Sequence, residues 1–210
     1  MDLYFSPLAC SMATRISLYE AHAEARFVEV DPFTHATMDG VPLASIAPLA
    51  LVPAIQTDEG DFLVENAAVL QYVAARHPEA QLAPTDARGR AVLQQWLCFI
   101  GTELHKLVFT PLLDKHAPEG AKSYAMSKVP VRFDLLEKHL AGREFLLDRF
   151  SVADAYLATV LNWTIATPID VTKWPAVAGY LGRMRKRPSV MKALSIELPL
   201  YQAEQQRHAT

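Results

Sequence analysis

Positive charge is missing from the first part of this chain. The first lysine among its 210 residues is Lys106, and residues 1–78 hold three arginines (Arg15, Arg26, Arg76) against ten acids, a net −7. The whole chain carries 20 Lys and Arg against 23 Asp and Glu, a net −3. That balance excludes nucleic acid as the main partner. Cysteine is almost absent, with Cys10 and Cys98 alone. Two thiols cannot build a disulfide framework, so a cytoplasmic protein with reduced thiols is expected. No apolar run is long enough to span a bilayer, and MDLYFSPLACS has neither the basic start nor the long apolar stretch of a secretory leader. Internal repeats and low-complexity segments are also missing. What is present is 51% hydrophobic, enough for a substantial core.

The apolar periods change along the chain. DLYF (Asp2–Phe5) reads as a strand, SMATRISLYEAH (Ser11–His22) as a helix with Met12, Ile16 and Tyr19 on one face, and RFVEV (Arg26–Val30) as a second strand. DPFTHATMDG (Asp31–Gly40) reads as a loop, with irregular chain to Pro48. LVPAIQT and DFLVE flank DEG as a hairpin, and NAAVLQYVAARH follows as a helix with Asn66 as its N-cap. The order is βαβ, loop, ββα, with a right-handed crossover between the first two strands. HPEAQLAPTDAR, with two prolines, reads as a linker. Beyond it the pattern is helical. A long helix from Ala87 is kinked or ended by Pro111, and another over Lys122–Leu140 is kinked or started near Pro130. A strongly apolar helix follows Ser151-x-x-Asp154, a capping box. The last helices are expected at Trp174–Arg187 and Ser189–Leu194, with a frayed polar tail after Pro199.

The motifs PLACS, LVPAI, VENAAVLQYVA, TELHK and FSVADAYL, in this order, resemble the glutathione transferase family over almost the whole chain. Cys10 with His105 and Lys106 resembles its bacterial beta class. The resemblance implies an α/β plus all-α protein. Residues 1–78 would form a thioredoxin-like, glutathione-binding domain, 79–86 a linker and 87–210 an all-helical domain. Glutathione would be the cosubstrate, with no metal, and a small apolar electrophile would bind between the domains of a homodimer. Cys10 would contact the glutathione sulfur and form a mixed disulfide with it, with His105 reaching the cleft and Ser11 as a reserve hydroxyl. Ala9, Leu51, Val52, Pro53, Glu65, Asn66, Cys98, Thr102, Glu103 and Lys106 would complete the glutathione site. In it the Val52–Pro53 bond is cis, Glu65 takes the γ-glutamyl ammonium and Asn66 the γ-glutamyl carboxylate. A thiol at a helix N-terminus also faces N–H groups and a positive dipole end, which lowers its pKa from about 8.5. Ala13 at the third position after Cys10 excludes a CxxC dithiol. Phe5 stands where beta-class relatives often carry Tyr, and Tyr4 points to the other face of its strand, which argues against a tyrosine mechanism.

Departures from the family pattern fall near the ligand. The family's Asn-Pro-Lys-Gly before the cis-proline is here Ala47-Pro48-Leu49-Ala50. Cationic help for an anionic tripeptide would then come from Arg15, or from His105, Lys106 and other side chains of the helical domain or of a dimer partner. The alternative is a non-catalytic member of the fold that binds an apolar ligand or a protein partner.

Overall fold

The structure, a computed structural model, describes residues 1–209. The chain divides into two compact units, Met1–Ala83 with Pro188–Thr210 and Pro84–Arg187.

In the first unit, β1 (Asp2–Phe5), α1 (Met12–Glu20), β2 (Arg26–Asp31), β3 (Ala36–Thr37), β4 (Ala54–Gln56), β5 (Phe62–Val64) and α2 (Asn66–Arg76) follow one another. The sheet order is β3-β2-β1-β4-β5. β1 runs parallel to β2, pairing Leu3 with Phe27, and antiparallel to β4, pairing Leu3 with Ile55. This is the βαβ–ββα order of a thioredoxin-like domain. Side-chain alternation along β1 divides the core. Leu3 and Phe5 pack with Leu18, Ile55, Val69 and Val73 on one face, and Tyr4 packs with Val30, Leu43, Ala47 and Ala54 on the other.

Three expectations for this unit change. The loop after β2 contains a short strand, β3, which pairs Val30 with Thr37. Asp31 makes the reversal possible: its Oδ1 accepts the N–H groups of Phe33 (2.8 Å) and Thr34 (3.2 Å). Asn66 is the first residue of α2 rather than its cap, because Glu65 takes a φ of +68° and the helix begins after it. The third change is at the C-terminus. The helix expected to end near Leu194 runs on to Arg207, through Pro199, and packs with this first unit rather than with the helical region assigned to 87–210. Leu200 enters the Leu3–Phe5 core, Arg207 Nη2 donates to Glu29 (3.1 Å), and His208 pairs with Asp31 (2.7 Å). These anchors offset the hydrogen bond lost at Pro199.

The second unit is all helical. α3 (Ala87–Cys98) passes into a π-helical stretch (Phe99–Phe109) and then α4 (Thr110–Leu113). α5 (Glu119–Leu140), α6 (Val152–Asn162) and α7 (Pro175–Arg185) follow, and α8 (Pro188–Arg207) belongs to the first unit. α5 continues unbroken through Pro130. α6 is buried from Val152 to Leu161, as a helix apolar on every side must be. The Ser151–Asp154 capping box forms. Asp154 accepts the N–H groups of Ser151 (3.0 Å) and Leu146 (2.9 Å) and the Tyr180 hydroxyl (3.0 Å). No helix among the described residues is long and apolar enough to cross a membrane.

Candidate functional site

Cys10 lies in the turn between β1 and α1. Leu8 takes a φ of +58°, Ala9 N–H bonds Ser6 O (3.1 Å), and Met12 N–H bonds Ala9 O (3.0 Å). Ser6 and Ser11 stitch this turn together: Ser6 Oγ donates to Val30 O (2.8 Å) and Ser11 Oγ to Ser6 O (3.2 Å). Ser11 is fully buried, so its hydroxyl belongs to the turn rather than serving as a reserve for chemistry. The N–H groups of Met12, Ala13 and Thr14 are taken by the carbonyls of Ala9, Cys10 and Ser11. What α1 offers the sulfur is therefore its dipole end, not open donors. Cys10 is 8% exposed, and its thiol donates to Val52 O at 3.4 Å.

Val52 belongs to the backbone facing that turn. The Val52–Pro53 bond is cis, as the resemblance implies. Before it, Leu49 is 73% and Leu51 51% exposed, and Ala50 takes a φ of +50°. That conformation suits the glycine of the family pattern and strains an alanine. The β4–β5 register pairs Ala54 with Val64, which brings Pro53 level with Glu65.

At that corner two polar side chains stand without partners. Glu65 is exposed; its carbonyl accepts the N–H groups of Ala68 and Val69 (both 2.9 Å), but its carboxylate makes no capping bond, other hydrogen bond or ion pair among the described residues. Asn66 is 7% exposed, yet neither its amide oxygen nor its amide nitrogen has a partner. Buried polar atoms are nearly always paired, so an unpaired amide at the first residue of a helix is a strong sign of a place for a ligand. The backbone strain at Leu8, Ala50 and Glu65 falls around this same region, where ligand clamps concentrate it.

Arg15, the cation expected to help an anionic ligand, is committed elsewhere. Its guanidinium lies over the rings of Phe27 (3.9 Å) and Phe5 (4.3 Å). Its Nε donates to Glu197 Oε1 (2.6 Å) and its Nη1 to the Tyr19 hydroxyl (3.2 Å). Glu197, from α8, is 0% exposed, and its Oε2 accepts Leu8 N–H at 2.7 Å. Burial pushes its carboxyl up to about 7, against the opposing pull of Arg15 and Leu8. Tyr4 lies on the far face with Phe62 (6.4 Å between centroids), and burial raises its hydroxyl pKa.

The remaining candidates lie on the second unit. His105 sits in the π-helical stretch, whose wider turn is closed by the Thr110 N–H on His105 O. Its Nδ1 is 2.8 Å from the Tyr156 hydroxyl, and its ring packs edgewise on Trp163 (4.9 Å). Burial, and secondarily the charge of Lys106, lower its pKa to about 4, so the ring is neutral near pH 7. Lys106 and Thr102 are exposed, and Thr102 Oγ1 donates to Cys98 O (2.9 Å). Cys98 is exposed and takes a hydrogen bond from Gln94 Nε2 (3.1 Å). Glu103 is paired with Arg132 of α5. Glu197 and Tyr156 went unrecognised as supports in the sequence. The signal for Glu197 was an acid set between Ile196 and Leu198 in an apolar helical run. Among the described residues no group of three or more His, Cys, Asp or Glu side chains could hold a metal.

A family model described as "Glutathione S-transferase, C-terminal domain" matches residues 96–188. The chain is 35% identical over 199 residues to "Glutathione S-transferase GstA" of Escherichia coli O157:H7, covering 94% of this chain and 98% of that protein. Among solved structures it is similar to a sphingomonad glutathione S-transferase complexed with glutathione (38% identity, TM-score 0.89, 94% of this chain and 98% of that one). It is likewise similar to a bacterial beta-class glutathione S-transferase from Sphingomonas chungbukensis (39% identity, TM-score 0.89, 94% and 98%).

Proposed function

The chain belongs to the glutathione S-transferase family, close to its bacterial beta class, and on that footing we propose that it uses glutathione through the Cys10–Val52–Glu65–Asn66 region of its first unit. The observation that carries this reading is the buried, unpartnered amide of Asn66 at the start of α2, beside the unpartnered carboxylate of Glu65. The γ-glutamyl end of glutathione has one carboxylate and one ammonium. The Asn66 amide and the α2 N-terminus suit the carboxylate, and Glu65 suits the ammonium. Extended backbone at Val52 suits strand-like pairing with the cysteinyl unit. A tripeptide held at both points carries its thiol toward Cys10.

Two reactions follow from that position. In conjugation, the glutathione thiolate attacks a small apolar electrophile while the α1 dipole end stabilises the sulfur charge. In exchange, the Cys10 thiolate attacks the glutathione sulfur of a mixed disulfide. A Cys10–glutathione disulfide forms, the other thiol leaves, and a second glutathione then restores Cys10 as oxidised glutathione departs. With its neutral ring, His105 acts as a hydrogen-bonding group rather than as a cation. We propose a cytoplasmic homodimer, on the strength of the family alone. Binding is proposed to be weaker than in relatives that keep the lysine found here as Leu49.

Steady-state rates of both reactions in Cys10→Ala test the assignment. Loss of exchange with conjugation at least partly retained supports it. Retention of both rates at the wild-type level removes Cys10 from the chemistry.

A further inference from the structure

We infer that Glu197 is a positioning residue for Cys10: from α8 it clamps the thiol's turn on both sides and thereby sets where the sulfur stands. One carboxylate oxygen holds Leu8 N–H, two residues before Cys10, and the other holds Arg15 Nε in α1, five residues after it. Leu8 occupies a left-handed conformation, strained for a non-glycine residue, that needs something to hold it. A charge-assisted bond to its N–H is such a restraint. Arg15 is in turn tied to the turn through its own N–H, which bonds Ser11 O (3.2 Å). Cys10 thus lies between two anchor points that converge on one buried carboxylate.

Stability alone does not account for this arrangement. Apolar residues of similar volume commonly replace a buried ion pair at little or no cost in stability. Burial also works against the charged form of Glu197. What an apolar substitute would not supply is the directed bond to Leu8 N–H. α8 has other anchors that do not touch the turn, among them Ser189, which bonds Glu20 of α1.

The effect on turnover rests on the Cys10 reading above; the effect on the thiol does not. The test measures alkylation of Cys10 by iodoacetamide as a function of pH, followed on the Cys10 peptide by mass spectrometry so that Cys98 does not interfere. Wild type, Glu197→Ala, Glu197→Gln and Ser189→Ala are compared, each with its melting temperature. Displacement of the turn slows Cys10 alkylation in Glu197→Ala by roughly tenfold or more near neutral pH and changes its pH profile. Glu197→Gln, which keeps the volume and serves if the alanine variant does not fold, moves in the same direction by a smaller factor. Ser189→Ala lowers the melting temperature and leaves the profile unchanged. A folded Glu197 variant with the wild-type profile overturns the inference, as does a Ser189→Ala profile shifted as far as that of Glu197→Ala. Full conjugation and exchange in Cys10→Ala would remove the catalytic reading while leaving the alkylation result to stand or fall by itself.

Discussion

The turn that carries Cys10 and the corner at Glu65–Asn66 both border Val52 and Pro53, and they treat their polar groups in opposite ways. In the turn, Ser6, Ser11, Arg15 and Glu197 are each hydrogen-bonded within the protein. At the corner, the buried amide of Asn66 and the carboxylate of Glu65 have no protein partner among the described residues. The difference separates what holds a thiol in place from what waits for something outside the chain. A satisfied buried network resists removal of any member. An unsatisfied buried group destabilises the empty protein and is retained for what it binds.

The largest effect should come from breaking the satisfied side. Glu197→Ala leaves Arg15 Nε and Leu8 N–H buried without their acceptor and should cost roughly 3–5 kcal/mol in denaturant unfolding. A loss below about 1 kcal/mol would mean that the turn is held by other contacts.

The second effect is on pH dependence. Burial raises Glu197 to about 7, whereas in the unfolded chain it titrates near the ordinary glutamate value of 4.5. The folded state therefore binds this proton more tightly. The stability it contributes is full below about pH 4.5 and is lost as pH rises through about 7, a change on the order of 3 kcal/mol at most. Arg15 from α1, itself bonded to Tyr19, faces the carboxylate and opposes the shift. Glu197→Gln should flatten the slope of unfolding free energy across that window.

Smaller changes sharpen the contrast. Ala50→Gly should stabilise the protein by roughly 0.5–1 kcal/mol, because glycine accepts the positive φ without strain. A destabilised Ala50→Gly would show that the alanine methyl is packed more than it is strained. Asn66→Ala should leave stability within about 0.5 kcal/mol of wild type or raise it, since it removes polar atoms that nothing in the protein satisfies. A clear loss would place Asn66 with the structural groups of the turn.

Much of the fold was legible because periodicity and turn chemistry are local. β1, α1 and the β4–β5 hairpin follow from alternation, helical spacing and the Asp58-Glu59-Gly60 turn. The Ser151–Asp154 box declares the start of α6. The C-terminal helix was not legible beyond Leu194, because Pro199 and a polar composition signal a break while the anchors that override them come from far along the chain. Glu197 meets Leu8 and Arg15 across more than 180 positions, and no local pattern announces that meeting. Arg15 misleads for the same reason: a basic side chain on α1 reads as available until its buried partner Glu197 is seen. Asn66 was recognised through family resemblance. The sequence could not show that its amide would be both buried and unpartnered, which is a property of the packed corner.

Titration calorimetry of glutathione into wild type and Asn66→Ala tests the central claim most directly. The account predicts saturable binding to wild type and a loss of roughly tenfold or more in affinity in Asn66→Ala, the scale of losing charge-assisted hydrogen bonds, with the variant as stable as its parent. Equal affinity in the two proteins, or no heat of binding to wild type even at millimolar glutathione, would contradict it.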